Sequence, residues 1–396
     1  MKILHILGDR RLPRAPDAAA SSGIVNAVLE TARAQTKLGH QVWVASVVGE
    51  NWTSDWQGVR LIGLTPARWA KIQAFGRRID WSIHAPYVGL TQRHSFDLVI
   101  GNGHSYMRFL RAPVRAVTFH SSPTYKGSGV GEDLALRAAD YRRIASDTDV
   151  LFAVSGFIAE ELRAGLGGKG HLSVAYNGVD LERFGAPWAE SRRSAYRKTW
   201  GVDDNTVVFL YAGAVIQEKG VIHLARAFTA LADRNSACHL VIAGGALWNN
   251  AQVEYEAAVS QALQADHLSG RVHLVGKIER TAMAQLYAAC DVVVAPSTCQ
   301  EAFSLVALEA LAAGKPVIAS HVGGIPEIIT AEVGLLVPPG DEGALQAAML
   351  TLAHSEDLRK QMGLAARQRA GSFSWRTTAQ TIDAACHEAL QRKKGI

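Results

Sequence analysis

The sequence predicts an α/β protein made of two Rossmann-like parallel sheets, each covered by helices. Short apolar runs alternate with amphipathic, helix-length patterns, which is typical of parallel strands joined by crossover helices. This alternation comes in two series, separated by a polar stretch rich in arginine. The chain is 396 residues long, which is enough for two domains with separate cores.

The first series begins at the N-terminus of the chain. Lys2–Gly8 predicts a strand rather than a signal peptide, because its apolar run is short, and Ser22–Leu38 predicts a helix. Further strands are expected at Gln41–Val47, Phe96–Asn102, Arg115–Phe119, Val150–Ser155 and Leu172–Tyr176, and further helices at Glu132–Ser146 and Gly156–Ala164.

The second series follows a candidate linker, Asp180–Trp200, which is polar and contains Pro187. Strands are expected at Val207–Gly213, His239–Gly244, Val272–Val275, Val292–Ala295 and Pro316–Ser320, each separated by a helix-length pattern. We therefore expect an N-terminal domain over residues 1–185 and a C-terminal domain over residues 186–374.

The composition indicates an ordinary soluble α/β protein, with 48% hydrophobic and 19% charged residues. No apolar run approaches the roughly 18–20 residues of a membrane span. The four cysteines are scattered, without a C-x-x-C pair: Cys238, Cys290, Cys299 and Cys386. This pattern predicts reduced thiols in a cytoplasmic protein and argues against a zinc site.

The positive charge is concentrated in the first half of the chain. Residues 1–185 contain 22 Lys and Arg against 16 Asp and Glu, and the remainder contains 19 against 20. Such a face would suit an anionic substrate or the cytoplasmic face of an anionic membrane, although scattered solvated arginines would give the same count. The basic, amphipathic segment Arg68–Arg78 fits either an ordinary surface helix or a helix that contacts a membrane.

Two glutamates flank the predicted start of a helix. Glu301 lies in the loop, and Glu309 lies about two turns into the helix. Three amides lie between them at the helix N-terminus: those of Phe303, Ser304 and Leu305. Free amides and the helix dipole bind anions, and a carboxylate on either side can hold hydroxyls. Phosphate between two sets of hydroxyls describes a nucleotide sugar, although solvated helix faces carry glutamates at this spacing as well.

Lys219 lies in a loop between the first strand of the second series and a helix. A glycine and a lysine in such a loop have the general shape of a phosphate grip, although the Walker A spacing is absent. From the local sequence, Lys219 is either a phosphate partner or a surface lysine.

Several polar residues follow the expected strands of the N-terminal domain. Arg10 opens a long loop that ends at Ser22-Gly23, and His104 and His120 each follow an apparent strand. Ligands of open α/β sheets bind at this edge, where small residues let a ligand approach backbone amides.

Other motifs argue against alternative chemistry. Asp147-Thr148-Asp149 has the spacing of metal-dependent transferases, but turn chemistry between a helix and a strand explains it better. The glycines of Gly127–Gly131 do not directly follow a strand, so they are not a dinucleotide fingerprint. The sequence contains neither a G-x-S-x-G elbow nor an H-E-x-x-H motif.

In their order along the chain, these segments resemble the retaining glycosyltransferases of family 4, whose GT-B fold has two Rossmann-like domains facing across a cleft. The resemblance spans nearly the whole chain. It includes these motifs: Tyr176-Asn177-Gly178-Val179-Asp180, Glu218-Lys219-Gly220, Glu301-x7-Glu309, Ala313-Gly314-Lys315-Pro316-Val317, Gly323-Gly324-Ile325-Pro326-Glu327 and Gly334–Asp341.

The resemblance implies a role for each candidate residue at the donor site. Glu301 would orient the hydroxyls of the donor sugar, Glu309 would bind the ribose, and Lys219 with the amides after Glu301 would neutralise the diphosphate. Backbone around Gly276–Ile278 would meet the base, His120 would lie beside the sugar, and the loop at Gly23 would close the site.

The resemblance also implies a mechanism and a substrate class. The donor would be a nucleoside-diphosphate sugar, UDP before GDP, and transfer would use a front-face mechanism without a metal or another cofactor. Arg10 and His104 are the candidate acceptor-binding residues. The acceptor would be a hydroxyl compound, which the basic N-terminal half allows to be anionic, and no nucleic acid is implied. In such enzymes the closing helix returns to the N-terminal domain, which predicts this for residues 375–396.

Three departures from the family pattern bear on activity. Ala214 stands where the family usually has arginine, so one of two expected diphosphate cations is missing. Ser22-Gly23 stands where Gly-Gly is common, and Ser304 stands where glycine is frequent. The alternative is therefore a GT-B protein that binds a sugar nucleotide without transferring it. A non-transferring epimerase fits less well, because both glutamates match the transferases.

Overall fold

The computed structural model describes residues 1–8, 10–17, 22–67, 72–74, 77–79, 81–102, 107–122, 142–167, 170–185, 190–233, 237–245 and 250–395. The chain divides into two compact units. The first unit comprises Met1–Gly178 and Trp375–Ile396, and the second unit comprises Val179–Ser374.

Within its described residues, the first unit has ten strands, of which eight form one large sheet and two form a separate small sheet. Its strands are β1 (Lys2–Ile6), β2 (Gln41–Val47), β3 (Trp52–Trp56), β4 (Val59–Leu64), β5 (Ile72–Ala74), β6 (Arg77–Ile79), β7 (Leu98–Asn102), β8 (Val114–Phe119), β9 (Val150–Ala153) and β10 (Leu172–Val174). Its helices are α1 (Gly23–Lys37), α2 (Trp81–Arg93), α3 (Gly156–Leu166) and, after the second unit, α12 (Trp375–Lys394), with a 3₁₀ turn at Met107–Phe109.

The large sheet has the order β10-β9-β8-β7-β1-β2-β4-β3. Its strand pairs are parallel, except that β3 runs antiparallel to β4. The order reverses at β1, which lies between β7 and β2. Ligands of open parallel sheets bind beside such a reversal, at the carboxyl ends of the strands. This edge of the first unit includes Asn102, the last residue of β7.

The second unit is built on a six-stranded sheet. Its strands are β11 (Val207–Ala212), β12 (Cys238–Ala243), β13 (Val272–Gly276), β14 (Val292–Ala295), β15 (Val317–Ser320) and β16 (Gly334–Val337). Its helices are α4 (Leu181–Gly185), α5 (Glu190–Thr199), α6 (Val221–Ala232), α7 (Asn250–Ala262), α8 (Met283–Ala289), α9 (Leu305–Ala312), α10 (Glu342–His354) and α11 (Glu356–Ala370), with 3₁₀ turns at Gln217–Lys219, Asp266–Leu268 and Ile325–Glu327.

The sheet of the second unit is parallel, in the order β13-β12-β11-β14-β15-β16. Its strand order reverses between β11 and β14, which are neighbours. The loops that follow these two strands therefore emerge side by side at the carboxyl edge, where ligands bind. One of these loops carries Lys219 and the other carries Glu301.

The last helix, α12, belongs to the first unit. Ile382, Cys386 and Ala389 are buried in the core of that unit. On the same helix, Asp383 accepts a hydrogen bond from the largely buried His40 at 2.6 Å, and Lys393 contacts Asp149 at 2.8 Å. The buried apolar face, together with these two contacts, docks this helix on the first unit.

The structure differs from the sequence-based expectations at several segments. The division between the units falls after Gly178, before the expected boundary at 185, and the expected linker contains α4 and α5. Within Arg68–Arg78, the described parts form the antiparallel pair β5–β6 rather than a helix. Of the helix expected at Glu132–Ser146, residues 142–147 are described and are helical.

Some elements were missed from the sequence altogether. The hairpin β3–β4 was not predicted, although its turn contains Gln57 and Gly58, both with positive φ. Helix α2 was also missed, as was the edge strand β16. Among the described residues, no helix is both long enough and apolar enough to cross a membrane.

Candidate active site

The loop after β14 and the loop after β11 are in close backbone contact at a glycine. A Cβ atom at Gly220 (φ +65°) would lie 2.0 Å from the carbonyl oxygen of Pro296. Beside it, the amide of Thr298 donates to the carbonyl oxygen of Glu218 at 2.9 Å. Only glycine permits this close approach. The contact fixes Lys219, which precedes Gly220, against the loop that carries Glu301.

A second glycine supports the backbone of Glu301 itself. A Cβ atom at Gly323 (φ +54°) would lie 2.0 Å from the carbonyl oxygen of Glu301. The amide of Gly324 donates to that same oxygen at 2.8 Å, and the amide of Gly323 donates to the side chain of Gln300 at 2.7 Å. Gly323 and Gly324 therefore have a structural role, because they hold the loop that carries Glu301 in one position.

The carboxylate of Glu301 is held through one of its two oxygens. Lys219 Nζ and Ser297 Oγ both donate to Oε1, the latter at 2.6 Å. The other oxygen, Oε2, has no protein hydrogen bond within the described residues. Glu301 therefore presents a positioned oxygen that can accept hydrogen bonds from hydroxyl groups.

Lys219 carries a stable positive charge at this site. Burial lowers its pKa, but the Glu301 carboxylate opposes this effect, so the pKa of Lys219 is raised above its usual value. About a third of its side chain, 34%, remains exposed. An ammonium group with this accessibility can contact an additional anion while it stays beside Glu301.

The N-terminus of α9 lies directly after Glu301. Ser304 is the N-cap, and its hydroxyl accepts a hydrogen bond from the amide of Ala307 at 3.3 Å. Phe303 and Ser304 are buried, and Leu305 begins the helix. The first amides of an α-helix have no partner within the helix, so this terminus favours an anion.

Glu309 lies on α9, little more than one turn from its start rather than the expected two. Its Oε2 accepts a hydrogen bond from the hydroxyl of Tyr287 on α8 at 3.0 Å. Burial, and then the nearby Glu309 charge, raise the pKa of Tyr287 well above its usual value. The tyrosine therefore stays a donor and orients the Glu309 carboxylate.

Position 214 contributes only backbone to the site. The hydroxyl of Tyr211 donates to the carbonyl oxygen of Ala214 at 2.6 Å. Burial, and then the charge of Glu301, raise the pKa of Tyr211, so it too remains protonated. The neutral Ala214 leaves Lys219 as the cation paired with Glu301.

Gly276 and Ile278 lie at the carboxyl end of β13. Gly276 has a φ of +67°, and its carbonyl oxygen accepts from the amide of Gly244 at 2.7 Å. A Cβ at Gly244 would in turn lie 1.7 Å from the carbonyl oxygen of Gly213. These contacts bring the ends of β11, β12 and β13 together at the same edge of the sheet.

The remaining candidate residues belong to the first unit. Gly23 is the first residue of α1, where the side chain of Ser22 caps the helix. Arg10 donates through Nη1 to the carbonyl oxygen of Asn102 at 3.0 Å. Nε2 of His120 lies 3.0 Å from the side-chain oxygen of Asn102, so these three residues meet at one edge. His104 lies outside the described residues.

The Asp147–Asp149 motif contributes to structure. Asp149 accepts hydrogen bonds from the amide of Arg115 at 2.9 Å and from Lys393 at 2.8 Å. Within the described parts of the chain, no group of three or more His, Cys, Asp or Glu side chains could hold a metal ion. All four cysteines are free thiols.

Sequence reasoning missed three polar side chains that orient the candidate residues. Ser297 positions Glu301, Tyr287 positions Glu309, and Asn102 contacts His120. Asn102 was predicted only as the end of a strand, and Ser297 follows the predicted strand Val292–Ala295 by two residues. The available signal was the polarity of these side chains at buried positions. For Tyr287 and Asn102, however, the residue that each one contacts is not adjacent in sequence.

Comparison with known proteins finds two family models that match the chain. The model for "Glycosyltransferase Family 4" matches residues 21–183, and the model for "Glycosyl transferases group 1" matches residues 192–369. A D-inositol 3-phosphate glycosyltransferase of Corynebacterium diphtheriae is 30% identical over 221 residues, covering 55% of this chain and 51% of the relative. This chain thus matches about half the length of that relative.

Two solved structures are similar over nearly their whole length. Sucrose-phosphate synthase from Thermosynechococcus elongatus has a TM-score of 0.80 and 22% identity, with 98% of this chain and 99% of that chain covered. HepE from Anabaena, solved with UDP and glucose, has a TM-score of 0.74 and 21% identity, with 97% and 98% covered. At such low identity these similarities establish the fold. Together with the two family matches, they identify the chain as a member of the group 1 glycosyltransferases with the GT-B fold.

Proposed function

We propose that this protein transfers a sugar from a nucleoside-diphosphate sugar to a hydroxyl acceptor, with retention of anomeric configuration. The observation that carries the proposal is the arrangement around Glu301. One carboxylate oxygen is fixed by Lys219 and Ser297, the other is open, and the N-terminus of α9 lies beside it. This combination suits a diphosphate next to a polyhydroxylated ring.

The donor would bind in three parts. Lys219 and the first amides of α9 would take the diphosphate, because a cation and a helix N-terminus both stabilise negative charge. Glu301 Oε2 would accept from the sugar hydroxyls, and Glu309, oriented by Tyr287, would accept from the ribose hydroxyls. The backbone at Gly276–Ile278 would contact the base.

The chemical step would need stabilisation of the leaving group more than a protein nucleophile. As the bond between the anomeric carbon and the phosphate oxygen breaks, negative charge grows on the diphosphate, and preorganised donors at Lys219 and α9 would stabilise it. The acceptor oxygen would form its bond on the same face of the sugar. Its proton would pass to the departing phosphate oxygen, so the step is balanced without a metal.

A UDP-sugar is the first donor to test and a GDP-sugar the second. The structural similarity to HepE, which was solved with UDP and glucose, supports this order. The similarity to a D-inositol 3-phosphate glycosyltransferase makes a phosphorylated polyol the first acceptor to test. Such an acceptor agrees with the positive charge of the first 185 residues, where 22 basic side chains oppose 16 acidic ones. Location in the cytoplasm and contact with a membrane surface stay predictions.

A second candidate function is binding of a sugar nucleotide without transfer. Ala214 favours it, because the family usually places a second cation at that position and this chain does not. Calorimetric titration with UDP and GDP, followed by mass spectrometry of reactions with UDP-glucose and D-inositol 3-phosphate, separates the two. Donor binding together with a glycosylated product supports transfer. Tight binding without product or donor hydrolysis across a panel of donors and acceptors supports the binding protein.

A further inference from the structure

A chain of buried polar side chains crosses the carboxyl edge of the first sheet. It runs from Gln35 on α1 to His5 on β1, then to Asn102 at the end of β7, and then to His120 after β8. Three of these residues are almost completely buried: Gln35 at 0%, His5 at 1% and Asn102 at 3% exposure. Buried polar groups at such a density need a consistent set of donors and acceptors.

We propose that Asn102 and His5 are positioning residues that hold His120 with its proton on Nε2. Nδ1 is thereby kept as a hydrogen-bond acceptor for a hydroxyl group of a bound substrate. This inference rests on the proposed function only for the identity of the ligand. The direction of the hydrogen bonds follows from the fold of the first unit alone.

The orientation of Asn102 sets that direction. Its side-chain nitrogen lies 3.3 Å from the carbonyl oxygen of Ile6 and 3.4 Å from that of Ile100. Both of these oxygens can only accept, so the NH₂ group must face them. The side-chain oxygen of Asn102 must then face His120, 3.0 Å from Nε2. An oxygen acceptor at that place requires Nε2 of His120 to carry a proton.

The same orientation determines His5. The NH₂ group of Asn102 lies 3.5 Å from Nδ1 of His5, so that nitrogen is the acceptor. Nε2 of His5 is therefore the donor, to Gln35 Oε1 at 2.8 Å. Burial lowers the pKa of His5 to about 4, although the bond to Gln35 opposes this, so the ring stays neutral near pH 7. All three hydrogen bonds therefore have the same direction: His120 donates to Asn102, Asn102 donates to His5, and His5 donates to Gln35.

Nδ1 of His120 is the atom at the end of this hydrogen-bonded chain that has no partner among the described residues. This atom is buried. Burial, then the positive charge of Arg10, and then the proximity of the titratable His5 lower the pKa of His120 to about 3. Arg10 and His5 are therefore the two neighbouring groups that oppose protonation of His120. A neutral ring with Nε2 occupied has only the lone pair on Nδ1 to offer, and a lone pair accepts from a hydroxyl.

Nδ1 of His120 belongs to a residue that lines one small pocket. His5, Asn102, Thr118 and Asn177 give this pocket polar groups, while Val154 and Ile382 are among its apolar lining residues. A buried acceptor without a partner destabilises the free protein, because it has lost its hydrogen bonds to water. A substrate hydroxyl would remove this cost on binding, which explains why the unpaired atom is retained.

The first test determines the tautomer directly. Full-length protein labelled with ¹⁵N-histidine gives long-range ¹H–¹⁵N correlations, and the His120→Gln variant assigns the ring of His120. We expect a neutral ring with the proton on Nε2. In Asn102→Leu the single tautomer should be lost, while the exposed His171 gives an unchanged reference signal. A proton on Nδ1 in the unsubstituted protein would overturn the proposal.

The second test identifies the nitrogen that serves the substrate. Asparagine places its amide at the position of Nδ1, whereas glutamine reaches the position of Nε2 and keeps a donor toward Asn102. With UDP-glucose and an acceptor, kcat/KM should be about tenfold higher for His120→Asn than for His120→Gln, the effect of one hydrogen bond. A merely structural histidine predicts the reverse order, and that result would refute the role of Nδ1.

The two proposals fail in different ways. If neither UDP-glucose nor GDP-mannose binds or reacts, the proposed function is wrong, and the tautomer measurement still decides the positioning role. If transfer occurs and the Nδ1 resonance does not move when UDP-glucose or D-inositol 3-phosphate is added, the assigned ligand contact is wrong. A shift with either compound supports it, provided that UDP alone leaves the resonance unchanged.

Discussion

The two units present contrasting polar groups at the carboxyl edges of their sheets. In the second unit, the loops after β11 and β14 present charged groups: Lys219 and Glu301 form an ion pair whose side chains are 34% and 13% exposed. In the first unit, the edge relies on neutral groups: His5 and Asn102 are 1% and 3% exposed. Charges retain contact with water because burying them is costly, whereas neutral dipoles can be buried once they are hydrogen-bonded.

This difference has a functional consequence. The accessible ammonium group of Lys219 can contact a diphosphate, but the strength of that contact depends on Glu301, on salt and on competing ions. A buried neutral chain binds anions weakly, but it fixes the direction of each hydrogen bond. We therefore expect substitutions in the second unit to change affinity and rate through charge, and substitutions in the first unit to act through geometry.

The largest effect is expected for Glu301→Gln. Loss of the oriented carboxylate should lower the rate of transfer by about 10²–10³, equivalent to roughly 2–4 kcal/mol of transition-state stabilisation. Affinity for UDP should not fall, because Lys219 would no longer be neutralised by Glu301. Steady-state kinetics and calorimetry measure both quantities.

A matched control for Glu301→Gln is available on α11. Glu356→Gln removes an exposed carboxylate that pairs with Lys360 at 2.7 Å, and it should change neither rate nor affinity. Near-normal turnover by Glu301→Gln would rule out its assignment as the sugar-binding carboxylate.

The next effect concerns the backbone that holds Glu301. Gly323→Ala should lower the free energy of unfolding by about 2 kcal/mol or more, because a Cβ with positive φ is strained and meets the Glu301 carbonyl. Gly270→Ala is the control, since Gly270 has a φ of +73° but nothing within 4 Å of its Cβ position. Chemical denaturation of both variants separates the effect of the clash from that of the positive φ. Equal losses of unfolding free energy would show that the loop at Gly323 does not support the loop that carries Glu301.

A smaller effect is expected from the phosphate cation. Lys219→Ala should weaken UDP binding by about 1.5–3 kcal/mol, the value of a hydrogen bond to a charged group. Glu309→Ala should weaken it less, because a carboxylate cannot neutralise phosphate. Calorimetry with UDP compares them, with the exposed Lys360→Ala as the control. Equal losses of UDP affinity in the two variants would mean that Lys219 is only a surface residue and that the phosphate site around Ala214 is made of other groups.

The smallest effect is expected from metal removal. Transfer should continue in the presence of a chelator, because Lys219 and the α9 amides are proposed to stabilise the leaving group without a metal. Enzyme assays with EDTA, and then with added Mn²⁺, measure this. Loss of transfer that Mn²⁺ restores would contradict the metal-independent mechanism.

The sequence by itself was sufficient for five of the six strands described in the second unit and for singling out Lys219 and Glu301. Val292–Ala295 was predicted with the bounds that the structure gives it, because a short apolar run before a Pro-Ser turn is a local pattern. Glu301 and Lys219 were found for a similar reason, since each lies between a strand and a helix. The structure adds that Lys219 Nζ donates a hydrogen bond to Oε1 of Glu301.

The tertiary structure alone decided which distant residues meet. The polar stretch expected as a linker forms α5, where Arg197 is 1% exposed and its guanidinium bonds to Asp291 at 3.1 Å. Nothing local distinguishes that arginine from a solvated one. Asn102 and His5 likewise approach across 97 residues of sequence. Both contacts depend on the order of strands in a sheet, and local periodicity fixes the type of each element without fixing its neighbours.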